Sequence, residues 1–406
     1  MKYRITLIVF LASFQLMAQK TIKYTVILRS NTGSASMWDG NSVAIWGFSS
    51  TLSTPPTLPA KILYAEQGDT VIITARNVSQ GEHHTVHLHG LDVDTRNDGD
   101  PATSFWLSHM QDTTYTFVAD YPGTYIYHCH VGDVVHLQMG MYGLIVVRAA
   151  NGVKSAWTGG PSFDKDYKWL MTEIDSQWHL NPPQHDTVSD MILVPAYLPD
   201  YFLINGKSEQ QIAQDDSIKI TGTQGEKIYM RLANIGYFNN RIIFPSILNA
   251  TILSSDGRPM PNAIQSDTLE IMPGERFEVM LNASGQFTGN VIVKYLNMNT
   301  DSVWNVQYVP VAINGYVGLN ENTLDNPVHV FPNPTDNYLE ISFKNKDKDK
   351  INFTLINALG QVVKSGNSEK THESLILEVG DLNPGIYYLN ILIGNDNLNK
   401  KIIIGR

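Results

Sequence analysis

Short runs rich in Val, Ile, Thr and Tyr recur along the chain, either alternating with polar residues or continuously apolar, and Gly, Pro, Asn and Asp break them. Examples are DTVIITARNV (69–78), TTYTFVADYPGTYIYHC (113–129) and MYGLIVVRA (141–149). A two-residue period of this kind marks β-strands, and no long helical period competes with it. The pattern therefore predicts an all-β protein built of sandwiches. Composition shifts at NGVKSAWTGGPSFDK (151–165) and again at GYVGLNENTLDNP (315–327), where turn-forming residues cluster as they do between domains. Three β units follow: a first domain over 19–150, a second over 166–315 and a smaller one over 328–406.

The opening MKYRITLIVFLASFQLMAQK changes the picture of where the chain works. Lys2 and Arg4 precede an apolar run from Ile5 to Met17, and Ala18 closes it. This is the pattern of a secretory signal peptide, 1–18, and the run is shorter than the roughly 20 residues of a membrane span. The expectation is an exported protein, secreted or held at the cell surface. With 39 acidic against 29 basic side chains, nothing argues for a nucleic-acid partner, and the acidity serves solubility.

Export sharpens the question of Cys129, the single cysteine in 406 residues. Alone in a secreted chain it has no internal disulfide partner. It is either a small buried apolar side chain or a ligand. The histidines bear on the choice, because eight of the twelve lie between His83 and His136.

Two segments carry them, HHTVHLHG (83–90) and YHCHVGDVVHLQMGM (127–141). Side chains alternate across a strand, so His87 and His89 share a face, His128 and His130 share a face, and Cys129 points the other way. On the cysteine side stand His84, His136 and Met141. Two imidazoles, a thiolate and a thioether are the ligands of a blue-copper electron-transfer centre. A structural zinc site would more often use several cysteines and has no need of Met. On the other side, four imidazoles suit copper, zinc, iron or nickel, and their neighbour favours copper.

The stretches HTVHLHG and HCHVGDVVHLQMGM resemble the multicopper oxidases, whose cupredoxin domains carry HxxHxHG and HCHxxxHxxxxM segments. The resemblance implies a type 1 copper on His84, Cys129, His136 and Met141. It implies a type 2 role for His87 and type 3 roles for His89, His128 and His130. His136 lies seven residues after Cys129, against five in the family, so a lengthened loop is expected there. Met139, three residues from His136, is the poorer axial candidate, and His83 and His109 match no motif position. Asp92, Asp94, Asp98 and Asp100 read as turn formers. The family's proton-relaying acid makes Asp92 the candidate for that catalytic role.

The second unit, with YFLINGK, RLANIG, DGRPM and PGER, resembles the family's plastocyanin-like domain that binds no copper. His179 and His185 there have the wrong spacing for ligands. One chain thus offers half of a trinuclear site. First domains of two subunits could complete it across a twofold axis in a homo-oligomer. Alternatively the four histidines hold a smaller, nitrite-reductase-like copper site, or the protein is a type 1 copper electron carrier or copper-binding surface protein. The last unit, with VHVFPNPTDNYLEISF and PGIYYLNILIG, resembles the C-terminal sorting domain of type IX secretion and implies that machinery as a partner. The leading expectation is a laccase-like, cupredoxin-fold copper oxidoreductase. A small-molecule or metal-ion donor would pass electrons through type 1 copper to a histidine-bound copper site that reduces oxygen.

Overall fold

A computed structural model describes residues 19–183, 194–315, 328–343, 350–369, 374–393 and 396–405. The expected signal peptide and His185 lie outside them. The chain forms two compact units, residues 1–316 and 317–406.

The first unit holds two β-sandwiches. In the first sandwich one sheet runs in the order Ser42–Ser49, Thr21–Ser36, Thr70–Asn77, Asp112–Val118. The facing sheet runs Leu63–Glu66, Tyr142–Arg148, Gly123–His128, His87–His89. Thr21–Ser36 pairs antiparallel with Ser42–Ser49 but parallel with Thr70–Asn77, so the connections cross between sheets. Along Thr70–Asn77 the buried positions Val71, Ile73, Ala75 and Asn77 alternate with more exposed ones, as the sequence pattern predicts. Gly123–His128 is buried throughout and Tyr142–Arg148 nearly so. Their two faces meet different partners: Tyr125 and Tyr127 pack in the first core with Cys129, while Ile126 and Leu144 face the second sandwich.

The second sandwich sets a six-stranded sheet containing Lys165–Ile174, Lys227–Asn234 and Arg276–Asn282 against a five-stranded sheet centred on Phe287–Leu296. Trp169, Met230, Ile242, Val279 and Val293 lie in its core. The two sandwiches share an apolar seam in which Ile126, Tyr142 and Leu144 meet Leu170, Ala233 and Ile235. Nearby, Met37 and Val43 meet Ile174, Tyr201 and Leu203. At one edge the backbones touch: a Cβ on Gly123 would stand 2.6 Å from the Gly257 Cα. The second compact unit is a smaller pair of sheets, one of three strands and one of four, around Leu339, Ile341, Leu355, Leu389 and Ile402. All three sandwiches are β-structure, as the patterning predicts.

Short helices interrupt the strands, and one of them bears on the histidine segment. The segment after Cys129 forms a six-residue helix, Asp133–Gln138, entered through Gly132 at φ 54. Glycine adopts this left-handed turn without the steric penalty other residues meet. The longer spacing between Cys129 and His136 is taken up as helix.

Close to the seam lies a fully buried carboxylate, Glu173, whose Oε2 accepts from the Tyr237 amide at 2.8 Å. Gly236 passes so near that a Cβ there would overlap the carboxylate. Burial pushes Glu173 up to about 7, against which the hydrogen bonds to Tyr237 and Phe238 work only partly. The folded state therefore binds its proton more tightly than the unfolded chain, and this group's contribution to stability falls as pH rises from about 4.5 to about 7. Glu173→Gln removes the titration. Its melting temperature relative to wild type is expected to rise across that window, by the equivalent of at most about 3 kcal/mol. A difference constant with pH would show that the carboxyl does not titrate there.

Candidate metal centres

The chain turns at the end of the strand Gly123–His128, and successive side chains enter different pockets. On one side the Cys129 sulfur, fully buried, lies 3.2 Å from Nδ1 of His136 and 3.6 Å from Nδ1 of His84, and the two nitrogens are 3.3 Å apart. An ion at the centre of such a triangle would stand roughly 2 Å from each atom, close to ordinary metal–nitrogen and metal–sulfur lengths. The outer nitrogens hold the rings in place. His84 Nε2 meets the Ser79 hydroxyl at 2.9 Å, and His136 Nε2 faces Glu82 at 3.6 Å. Trp46 packs edge-on against both rings, 5.0 Å from His136, and donates its Nε1–H to Asn31 at 2.7 Å. Met141 is fully buried in the same core, its carbonyl accepting from the Cys129 amide at 3.0 Å.

Electrostatics make the triangle asymmetric. Burial, reinforced by His136 and His83, drives His84 well below the usual imidazole range and keeps it neutral. Burial also opposes charge on His136, but its contacts with the Cys129 sulfur and the Glu82 carboxylate outweigh it and lift His136 to about 9. A metal ion would replace that proton as the cysteine's partner, the usual exchange when a thiolate site loads.

On the other side His87, His89 and His128 gather, with ligand nitrogens within 4.8 Å of one another. His87 donates Nδ1–H to the Asp98 carbonyl at 2.8 Å, with the Asp98 carboxylate at 3.4 Å. His128 donates Nδ1–H to the Cys129 carbonyl at 3.0 Å. Both therefore present Nε2, and His128 Nε2 lies 3.3 Å from His89 Nδ1. The strand has ended by His130, whose ring packs 4.8 Å from His87 and 5.6 Å from His128, beside the three-nitrogen group. Burial lowers all three: His128 well below the ordinary value, His89 to about 4 with help from Arg276, and His87 to a lesser extent. Neutral imidazoles at neutral pH are what a metal requires. Thr85 joins the pockets, donating its amide to the Cys129 sulfur at 3.5 Å and accepting from the His130 amide at 3.0 Å.

Asp92 stands apart from this group. Its carboxylate, 62% exposed, pairs with Arg258 of the second sandwich at 2.6 Å. Asp98 is the acid beside the imidazoles, and the sequence alone did not single it out. Asp94 caps the short helix Thr95–Asp98 and Asp100 accepts from the Ala102 amide, both turn roles as expected. Among the described residues the second sandwich reaches the cluster without offering a ligand: a Cβ on Gly274 would lie 3.3 Å from the His89 ring. Among its described residues it has one histidine, His179, buried and bonded through Nδ1 to the Ala44 carbonyl at 2.6 Å. His83 stacks on exposed Trp106, and His109 bonds the Ser79 carbonyl.

Cupredoxin-like sandwiches with a cysteine–histidine triangle backed by an imidazole cluster define a class of metal-binding folds. Residues 45–152 and 174–306 each match a multicopper oxidase family, and 329–405 match the secretion system C-terminal sorting domain. The chain belongs to the multicopper oxidases, extended by a sorting domain, and copper is that family's metal. It is 30% identical over 202 residues to a copper-containing nitrite reductase of Neisseria meningitidis, covering 49% of this chain and 46% of that one. It is 27% identical over 274 residues to copper resistance protein A of Escherichia coli, covering 56% and 42%. The chain thus spans just under half the length of these relatives. Its fold resembles a blue copper oxidase from Nitrosomonas europaea, with TM-score 0.58, 24% identity and coverage of 75% and 89%.

Groups that orient a ligating histidine typically change metal affinity by 10- to 100-fold when removed. Asp98→Ala keeps the backbone carbonyl, so about a tenfold loss at the imidazole cluster is expected in a competitive chelator titration. Asp92→Ala, which breaks only the pair with Arg258, is expected to leave that affinity unchanged.

Proposed function

We propose that the protein is an exported copper oxidoreductase with two copper sites in its first domain, 19–150. His84, Cys129, His136 and Met141 hold a type 1 copper. His87, in the type 2 role, and His89, His128 and His130, in type 3 roles, hold the second. The observation that supports this most is covalent: Cys129 belongs to one pocket and His128 to the other, yet they are consecutive. An electron entering at the sulfur is one peptide unit from the second set of nitrogens. Copper supplies reversible one-electron chemistry in such soft and imidazole-rich sites.

The chain's own residues supply the rest. Burial of Cys129, His84 and Met141 keeps water from the thiolate pocket, while Glu82 brings the His136 edge to a partly exposed surface where an outside donor comes nearest. Asp98 and the Cys129 carbonyl fix which nitrogen His87 and His128 present. A small-molecule or metal-ion donor would give electrons one at a time, and dioxygen would take four with four protons to become water. One first domain supplies half of the imidazoles of a trinuclear cluster, so this reading calls for a second copy facing the first. The signal peptide and the type IX sorting unit, 328–406, would deliver the enzyme outside the cell.

A second reading, nitrite as electron acceptor, is favoured by the 30% identity to a nitrite reductase and by the smaller histidine set. The tests are copper per chain, the visible spectrum, and turnover of oxygen or nitrite with a phenolic or other reduced donor. Oxygen consumption supports the oxidase, and nitrite loss without it supports the second reading. A blue protein inert toward both is an electron carrier. Cys129→Ser is expected to abolish the blue band and leave copper on the imidazole cluster; an unchanged spectrum would refute the ligand roles.

A further inference from the structure

The helix that bears His136 stands between the thiolate pocket and the second sandwich. Its six residues are too few to be stable alone, and no side chain caps its start. Two residues apart on a helix turn through roughly 200°, so the side chains of His136 and Gln138 leave it on nearly opposite sides. His136 enters the pocket. Gln138, 4% exposed, enters the second sandwich.

There it is held at both ends. Its Nε2 donates to the Glu173 carbonyl and to the Tyr197 hydroxyl, each at 3.0 Å, and its Oε1 accepts from the Asp175 amide at 2.7 Å. The anchor is itself fixed, because Asp175 caps the helix Ser176–Leu180 and accepts from the Leu198 amide at 2.8 Å. A further bond comes from the Tyr237 hydroxyl to the Val134 carbonyl, in the turn before His136. The far end of the segment is tied to the first sandwich, through Trp46 to Met139 and Cys129 to Met141.

We propose that Gln138 is a positioning residue for the type 1 site, and that the second sandwich, with Tyr237, acts as a clamp fixing the approach of His136 to Cys129. This rests on the ligand roles proposed above. A six-residue helix held from one side only would let His136 drift relative to a sulfur 3.2 Å away. The sulfur-to-copper transition and the reduction potential both respond to that distance and angle.

The test uses the full-length, copper-loaded protein and three variants. Gln138→Met keeps volume and removes all three bonds, and Tyr237→Phe removes only the bond to Val134. Tyr201→Phe is the control, since it breaks the interdomain bonds to Asp39 and Asn41 away from the helix. Gln138→Met is expected to shift the sulfur-to-copper band, the Cu(II) hyperfine splitting and the reduction potential. Tyr237→Phe should shift them less and Tyr201→Phe not at all. In copper-free protein, hydrogen exchange at His136, Met139 and Met141 is expected to quicken at least tenfold in Gln138→Met alone. A blue wild type with Gln138→Met unchanged in spectrum, potential and exchange overturns the clamp and leaves the ligand roles standing. A wild type that binds copper without blue colour overturns both.

Discussion

The two pockets depend on one property of extended backbone: neighbouring side chains point to opposite sides. Where Gly123–His128 ends, that alternation sends the Cys129 sulfur into a buried core with His84 and His136, and the His128 ring into a cluster with His87 and His89. A helix at this point would have set Cys129 and His128 only about 100° apart around one cylinder. Thr85 repeats the arrangement on the neighbouring segment, its amide serving one pocket and its hydroxyl the other. The pockets are adjacent because they share a backbone, and distinct because that backbone is extended.

The second sandwich contributes through contact. It buries the outer face of the strands that carry the pockets, pairs Arg258 with Asp92, and sets Gly274 against His89. Glycines are needed where backbone or side chain must come closer than a Cβ permits, as at Gly123 against Gly257 and Gly236 against Glu173. The sandwich thus has its own core and a surface shaped to its neighbour.

Much of this was legible in the chain. Strands announce themselves by period two, and HTVHLHG with HCHVGDVVHLQMGM places two kinds of donor on two faces through spacing alone. What stayed hidden depended on contacts far apart in sequence. Asp92 looked like the acid of the site because it follows the HxHG segment by two residues, but Arg258, 166 positions later, takes its carboxylate. Asp98 reaches His87 only because the short helix Thr95–Asp98 folds back on the strand. Trp46 and Gln138 carry no motif, and their roles come from packing. The helix Asp133–Gln138 was hidden for another reason: it is too short to display a period.

The burial of Cys129 has a consequence for a chain that carries a secretion sorting domain. A thiol passing through an oxidising compartment is ordinarily at risk of capture by another thiol. Here there is no second cysteine within the chain, and the sulfur presents no surface to any outside it. The vulnerable period closes when the first sandwich forms, so folding itself protects the residue in its reduced state.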